Sequence, residues 1–399
     1  MCTWRKKEVP VKNSFDFLII GGGIMGCACA YFLLTSDRNL KVGIVEKDLT
    51  YSHASTTLSL ANVRIQFSLK QNIEISQYAH EFIKDFPEKM AVKGEKPGLC
   101  FRKEGNLFLT DRKNKQGAVQ AFNLQKDLGC LVNWIEPEDI ESEYPLYSAQ
   151  KTAGGAFSPD DGYLDAYSFL NGFKQKAASL GAELIEDQAV KLLLHRKRIT
   201  GARLKSGKRL MSGYVINCAG AWAGELAKTA RISLPITPVK RQVFVLEPGE
   251  KPESPLPLTV LPSGLYFRSE TGDKILAGKS MPDDTEGIDF SWNQETFRER
   301  LWPELAEFVP AFDRLRLQRG WSGLYAVNTL DENAILGEWP EVKGFYLAIG
   351  FSGHGLQQAP AVGRYLSEII RGKKPALDLS IFSPERILDA KPIYESGIV

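Results

Sequence analysis

Phe17-Leu18-Ile19-Ile20-Gly21-Gly22-Gly23-Ile24-Met25-Gly26 is the stretch on which the fold turns. Its start belongs to the apolar run Phe15 to Ile20. Such a run reads as a buried parallel strand, because a strand covered on both faces is apolar throughout. The segment Ile24 to Leu34 is apolar and rich in Ala and Cys, and reads as a helix. Between the two stands Gly21-x-Gly23-x-x-Gly26. The first glycine allows a tight turn, the second lets backbone approach a pyrophosphate, and the third lets helix pack closely on strand. A second strand, Lys41 to Glu46, ends in an acid twenty residues after Gly26. Strand, glycine turn, helix and strand within about thirty residues open a doubly wound sheet. A pyrophosphate at this turn meets the positive end of the helix dipole. Glu46 would accept hydrogen bonds from a ribose diol, which disfavours a 2′-phosphate. The pattern predicts a dinucleotide site and leaves NAD and FAD open. The competing reading is a glycine-rich turn that only packs.

Outward from that turn the elements alternate. Asn72 to Phe86 has apolar residues at the spacing of one helical face. Leu107-Phe108-Leu109 and a helix over Lys115 to Leu128 form a small unit apart from the first domain. Ala166 to Leu180 reads as a helix, with strands at Ala182 to Glu186 and Tyr214 to Ala219. From Pro235 to Arg319 the pieces Gln242 to Leu246, Leu265 to Arg268 and Lys274 to Ala277 suggest an antiparallel sheet. The chain then returns to a buried strand, Phe345 to Ile349, a glycine turn, and a final helix from Gly355 to Ile370. The fold class expected is α/β: a Rossmann-like cofactor domain and a smaller α+β substrate domain with an antiparallel sheet, both built from non-contiguous segments. The cofactor domain takes 14–90, 152–232 and 320–375, the substrate domain 95–150 and 235–318, and a tail 376–399.

Composition narrows the classes. The chain has 399 residues, with 50 Lys and Arg against 48 Asp and Glu for a net charge of +2. That excludes a cationic chain built to coat nucleic acid and an acidic disordered one. No apolar run approaches the roughly 18 residues of a membrane helix. The N-terminal dozen residues are basic without an apolar segment after them, which leaves peripheral membrane contact open. Cysteines at 2, 27, 29, 100, 130 and 218 form no CxxC pair, and His53, His80, His195 and His354 have no metal-site spacing. The expectation is a soluble protein of a reducing, cytoplasmic compartment, without a metal.

The run Phe17 to Gly26 followed by Glu46-Lys47 resembles the start of the D-amino-acid oxidase superfamily of FAD enzymes. Ile216-Asn217-Cys218-Ala219-Gly220-Ala221-Trp222 is similar to that family's second flavin-contact turn, and Gly350-Phe351-Ser352-Gly353-His354-Gly355 to its last. The sarcosine- and dimethylglycine-oxidising branch looks nearest. Tyr51-Ser52-His53-Ala54-Ser55-Thr56, Gln66-Phe67-Ser68-Leu69 and His354-Gly355-Leu356-Gln357-Gln358-Ala359-Pro360 resemble a mitochondrial group of FAD-dependent oxidoreductase-domain proteins associated with complex I assembly, and its bacterial relatives. The resemblance implies FAD held at Gly21, Gly23, Ile24, Met25 and Gly26, and at Glu46 and Lys47. It adds Ser55 and Thr56 in the ribose loop, Val190, then Ala219, Gly220 and Trp222. The last turn contributes Gly353, His354, Gly355, Leu356 and Gln357.

The departures from the family pattern are informative. Where monomeric sarcosine oxidases attach flavin through a cysteine before a tyrosine, this chain has Leu324 before Tyr325. Where dimethylglycine dehydrogenases use a histidine, it has Leu58. Noncovalent FAD is therefore expected. The arginine that holds substrate carboxylate in glycine and D-amino-acid oxidases is replaced by Tyr325. Of the two cations in sarcosine oxidases, Arg64 matches the first, and Gln357 replaces the second. The lysine that activates oxygen corresponds to Leu276, with Lys279 nearby. That leans towards a dehydrogenase passing electrons to a quinone or carrier protein.

The resemblance thus implies a small-molecule amine or amino-acid substrate, a secondary or tertiary N-alkyl amino acid, oxidised at its C–N bond by hydride transfer to flavin N5. The cofactor carries the hard step and the protein orients substrate. Arg64 would take a carboxylate in a forked pair of hydrogen bonds. Tyr266, Arg268 and Tyr325 are candidates for the substrate face, and His354 and Gln357 for the flavin edge. Two rival readings stand beside this one. A 2-hydroxy-acid dehydrogenase would need a base, for which only His354 is evident; a flavoprotein scaffold for a respiratory complex would need no turnover.

Overall fold

A computed structural model describes residues 13–396. The basic N-terminal dozen, and with it any membrane contact there, lies outside the described residues.

The opening strand, Phe17–Ile20, is central in a six-stranded sheet. Across the sheet run Ile335–Glu338, Phe345–Ile349, Tyr214–Asn217, Phe17–Ile20, Val42–Glu46 and Glu183–Glu186. Every pairing is parallel except that of the edge strand Ile335–Glu338. The uninterrupted apolar run has the cause expected of it. Phe17 and Ile19 enter one core with Tyr31, Phe82, Phe169 and Phe173. Leu18 and Ile20 enter a second core on the other face, with Leu192, Ile199 and Leu210. The first core lies under the helices Ile24–Ser36, Lys70–Lys84, Ala166–Ser179 and Gly355–Ile370. The second lies under a three-stranded antiparallel sheet of Ala189–His195, Arg198–Leu204 and Arg209–Met211. The first and last helices cross closely, since a methyl group at Gly363 would stand 2.9 Å from the Ala28 carbonyl carbon.

The second unit is an eight-stranded sheet. Its order is Arg316–Asn328, Ile236–Glu247, Lys274–Lys279, Leu265–Glu270, Leu258–Val260, Asn106–Leu109, Gly155–Ser158 and Asn133–Ile135. The sheet is antiparallel except where Leu258–Val260 joins Asn106–Leu109 in parallel. A core of Phe244, Phe267, Phe297, Phe308 and Phe312 backs it. Two segments placed with the cofactor unit on sequence run in this sheet instead. Residues 320–328 pair with Ile236–Glu247, and Gly155–Ser158 pairs with Asn106–Leu109. Both are strands that leave one unit to complete the other, and they bring the two sheets together around a shared cavity.

The tail is docked. Arg386 and Asp331 form a buried ion pair, and Glu395 accepts hydrogen bonds from the backbone N–H groups of Ser68 and Leu69 at the start of the helix Lys70–Lys84. Among the described residues no helix is long and apolar enough to cross a membrane, and no His, Cys, Asp and Glu group could hold a metal ion.

Candidate active site

A cavity of about 490 Å³ runs from the glycine turn to the inner face of the large sheet. At the turn, Gly21 has φ +102°, and a Cβ there would stand 2.3 Å from the Cys218 carbonyl oxygen, so only glycine fits. Gly23 is the extended N-cap of the first helix, with no side-chain cap and no acid in the first turn. Its backbone faces open space bounded by Thr56, whose hydroxyl accepts the Ile24 N–H at 3.2 Å. The remaining first-turn N–H groups have no intrahelical acceptor and suit an anion. Gly26 lies behind the turn and does not line the cavity; a Cβ on it would strike the Gly21 carbonyl oxygen.

Glu46 is held at the rim of this turn. One carboxylate oxygen accepts the Gly22 N–H at 2.7 Å and the other the Asp48 N–H at 3.0 Å. Lys47 lies 2.9 Å from the centre of the Trp222 ring. Val190, Ala219 and Gly220 form the adjoining wall, and Met25 and Ser55 line the cavity as well. These features fit FAD: a cradle that a single Cβ would fill, a helix N-terminus bare of acids, and an acid fixed beside it.

At the inner end the final turn approaches as closely. Gly353 has φ +101°, and a Cβ there would meet the Tyr325 ring at 2.4 Å. His354 caps the helix Gly355–Ile370, whose first turn also lacks an acid, and Gly355 and Leu356 line the cavity. His354 Nδ1 stands 3.2 Å from the Phe351 carbonyl oxygen and Nε2 2.8 Å from an Arg64 nitrogen. A carbonyl can only accept and a guanidinium can only donate, so Nδ1 carries the proton and Nε2 accepts. Burial and the adjacent Arg64 cation pull the imidazole down to about 3, so it is neutral.

Arg64 is buried at 5% exposure. Besides His354 it donates to the Gln66 carbonyl at 3.0 Å, and it lies over Phe67 and Phe108 at 4.2 and 4.9 Å from their centres. Burial lowers its pKa to about 10, which leaves it cationic at neutral pH. Gln357 accepts the Arg64 N–H at 2.7 Å and donates to its carbonyl at 3.3 Å. Tyr266 and Tyr325 also line this end, and neither phenol has a hydrogen-bond partner among the described residues. Burial raises both, which keeps them protonated.

Arg268 requires a correction. It does not line the cavity. Its guanidinium lies 3.4 Å from the Tyr163 ring centre, pairs with Glu270 at 2.9 Å and donates to the Ser269 carbonyl. The face it shares with Tyr266 on Leu265–Glu270 simply extends past the cavity's edge. Leu276 packs with Val243 and Val245, and Lys279 pairs with Glu304 at 2.7 Å; neither lines the cavity.

Sequence reasoning missed Arg241, Phe108 and the apolar wall of Leu60, Val243, Leu258 and Val260. Arg241 had a signal: a cation at period two from Val239 and Val243 sits on an otherwise apolar face.

A family model described as "FAD dependent oxidoreductase" (DAO) matches residues 16–369. The chain is 34% identical over 432 residues to FAD-dependent oxidoreductase domain-containing protein 1 of Xenopus laevis, covering 98% of this chain and 86% of that one. It is 26% identical to the glycine oxidase of Geobacillus kaustophilus, covering 94% and 97%. Among solved structures it is similar to L-proline dehydrogenase from P. horikoshii, with a TM-score of 0.85 and 27% identity over 96% of this chain and 100% of that one.

Proposed function

The chain belongs to the DAO family of FAD-dependent oxidoreductases, and from that premise we propose that it oxidises the C–N bond of a secondary or tertiary N-alkyl amino acid. Bound FAD, held noncovalently, would supply the hydride acceptor at flavin N5. The relatives named for glycine and L-proline act on amino acids, which supports that substrate class. Noncovalent binding is supported by Leu58 and Leu324 at the two positions where attachment would need histidine or cysteine.

The observation that carries the reading is the state of His354. Its one lone pair accepts from Arg64, and its other nitrogen donates to Phe351. Among the described residues, the inner end therefore has no side chain ready to take a proton from an alcohol. An amine that binds neutral needs none, whereas a 2-hydroxy acid does. Arg64 orients a carboxylate, and Tyr266 and Tyr325 offer neutral phenols to orient the amine. The apolar wall excludes water around the reacting carbon. The helix N-terminus at Gly355-Leu356 presents N–H groups to negative charge gathering at the cofactor edge. Among the described residues no lysine lines the inner end, which favours a quinone or carrier protein over oxygen as electron acceptor.

The deciding experiment is the anaerobic visible spectrum of FAD-loaded protein titrated with N-alkyl amino acids, primary amino acids and 2-hydroxy acids. Bleaching of the oxidised flavin bands by N-alkyl amino acids alone is the expected result. Bleaching by hydroxy acids instead would overturn it.

A further inference from the structure

Away from the cavity, one face of the molecule carries charge of a single sign. Between Asp187 and Glu225 the sequence has eight Lys and Arg and no acid. All eight are exposed, and none forms an ion pair among the described residues. They belong to the three-stranded sheet of Ala189–His195, Arg198–Leu204 and Arg209–Met211 and to its two hairpin turns.

Register decides where they point. Leu192, Ala202 and Leu210 enter the core beneath the sheet, so the alternate positions face outward. Arg203 stands opposite Lys191 on one side and Arg209 on the other, which makes a row of three cations across the sheet. The next outward row is Leu193, Gly201 and Met211, with Met211 43% exposed. The turn Arg196-Lys197-Arg198 adds cations at one end, and Lys205 and Lys208 add them at the other. Asp187 approaches the second turn, where it accepts the Gln188 and Ser206 N–H groups.

Like charges directly opposite each other weaken a ladder. A face that only had to stay in water would mix the signs, as the whole chain does with 50 cations and 48 acids. Charge on edge strands deters pairing with foreign sheets. That accounts for Lys191 and Arg209 but not for Arg203, which is on the middle strand. A cation row beside an exposed apolar row instead complements a surface that is anionic outside and apolar beneath. A nucleic acid would answer the cations and leave Met211 unexplained.

We infer that the outer face of this sheet docks on an anionic phospholipid bilayer, with the cations on headgroup phosphates and Met211 at the headgroup boundary. Asn13 accepts the Met211 N–H at 2.8 Å. The preceding dozen residues, which include Arg5, Lys6, Lys7 and Lys12, are therefore joined to the chain at the edge of this face. Ala189 and Val190, at the start of the strand that bears Lys191, line the cofactor cavity, so docking sets that cavity beside the bilayer. The inference goes beyond the reaction proposed above and does not rest on it.

The test is cosedimentation of the full FAD-loaded chain with vesicles of phosphatidylcholine, alone or mixed with phosphatidylglycerol, at low and at high salt. Binding to the mixed vesicles, weakened by salt, is the expected result. Each cation removed should cost roughly fivefold in partitioning, so Lys191→Gln, Arg203→Gln and Arg209→Gln together should cost about a hundredfold. The same loss of net charge at Arg112, Lys113 and Lys126, exposed on and beside the helix Lys115–Asp127, should change binding by less than about twofold. Arg203→Gln alone, with its roughly fivefold loss, serves if the triple variant does not fold. Failure to bind the mixed vesicles overturns the inference, as does equal binding to both kinds. Equal losses in the two triple variants overturn it too, because net charge alone would then account for binding. Retention of an RNA homopolymer in place of the vesicles would overturn it in favour of nucleic acid.

Discussion

The side-chain amide of Gln357 brackets the backbone of Arg64, accepting its N–H at 2.7 Å and donating to its carbonyl at 3.3 Å. The same amide donates to Ser76 at 3.1 Å. One residue of the final helix thereby fixes the peptide unit that aims the guanidinium, and does so from 293 positions away. Gln357→Leu removes three hydrogen bonds and leaves a buried N–H and C=O unpaired. We expect a loss of about 2–4 kcal/mol in unfolding free energy and a raised KM for carboxylate substrates at unchanged flavin content. Unaltered KM in a folded variant would mean that Arg64 is aimed by something else.

Arg64→Ala should raise the apparent KM for carboxylate substrates by roughly ten- to hundredfold, the range of a charge-assisted contact, while FAD stays bound. Flavin retention is expected because the glycine cradle and Glu46 do not touch Arg64. Loss of flavin with the substitution would place Arg64 on the cofactor instead, and unchanged kinetics would remove it from the site.

At the glycine turn, Gly21→Ala places a methyl group against the Cys218 carbonyl and forces a left-handed φ on a residue that pays about 1–2 kcal/mol for it. The turn must open, and the cradle opens with it. The purified variant is expected to lack the visible absorption of flavin and to take up little added FAD. Full flavin occupancy would show that the turn tolerates a Cβ.

The glycine turn was legible because its constraints are local. Gly21, Gly23 and Gly26 answer to backbone geometry within six residues, and Glu46 to the length of one helix and one strand. The two-faced core around Phe17–Ile20 was legible for the same reason. What failed was register over distance. Residues 320–328 look like part of the returning cofactor unit, yet their hydrogen bonds run to Ile236–Glu247. Arg241 enters the cavity through that pairing, and the contact of Arg64 with His354 joins residues 290 apart. Alternation assigns a face; it does not say where along the face the cavity ends, which is why Tyr266 and Arg268 part company.

Arg268 offers a direct check of that boundary. The residue is 3% exposed, with its guanidinium stacked on Tyr163 and paired with Glu270. Arg268→Met should cost about 3 kcal/mol of stability, since it leaves the half-buried Glu270 without its partner. In the folded variant KM and kcat should not change. A KM effect without destabilisation would bring Arg268 back to the substrate.

The neutral state of His354 predicts a pH signature. In the folded protein its pKa lies near 3, below the ordinary 6.5 it recovers on unfolding. Above pH 6.5 neither state binds the proton, and His354 contributes no pH dependence. Below 6.5 the unfolded chain takes up the proton and the folded one does not, so stability falls with falling pH, by roughly 1.4 kcal/mol per unit, down to about pH 3. Gln in its place cannot titrate. Urea unfolding of FAD-loaded protein at pH 7.5, 6 and 5, with and without His354→Gln, isolates the effect from that of the carboxylates, which both proteins share. The difference in unfolding free energy should move in favour of the glutamine variant as pH falls. A difference independent of pH would mean that His354 protonates freely in the folded state, returning to the site the base that a hydroxy-acid substrate requires.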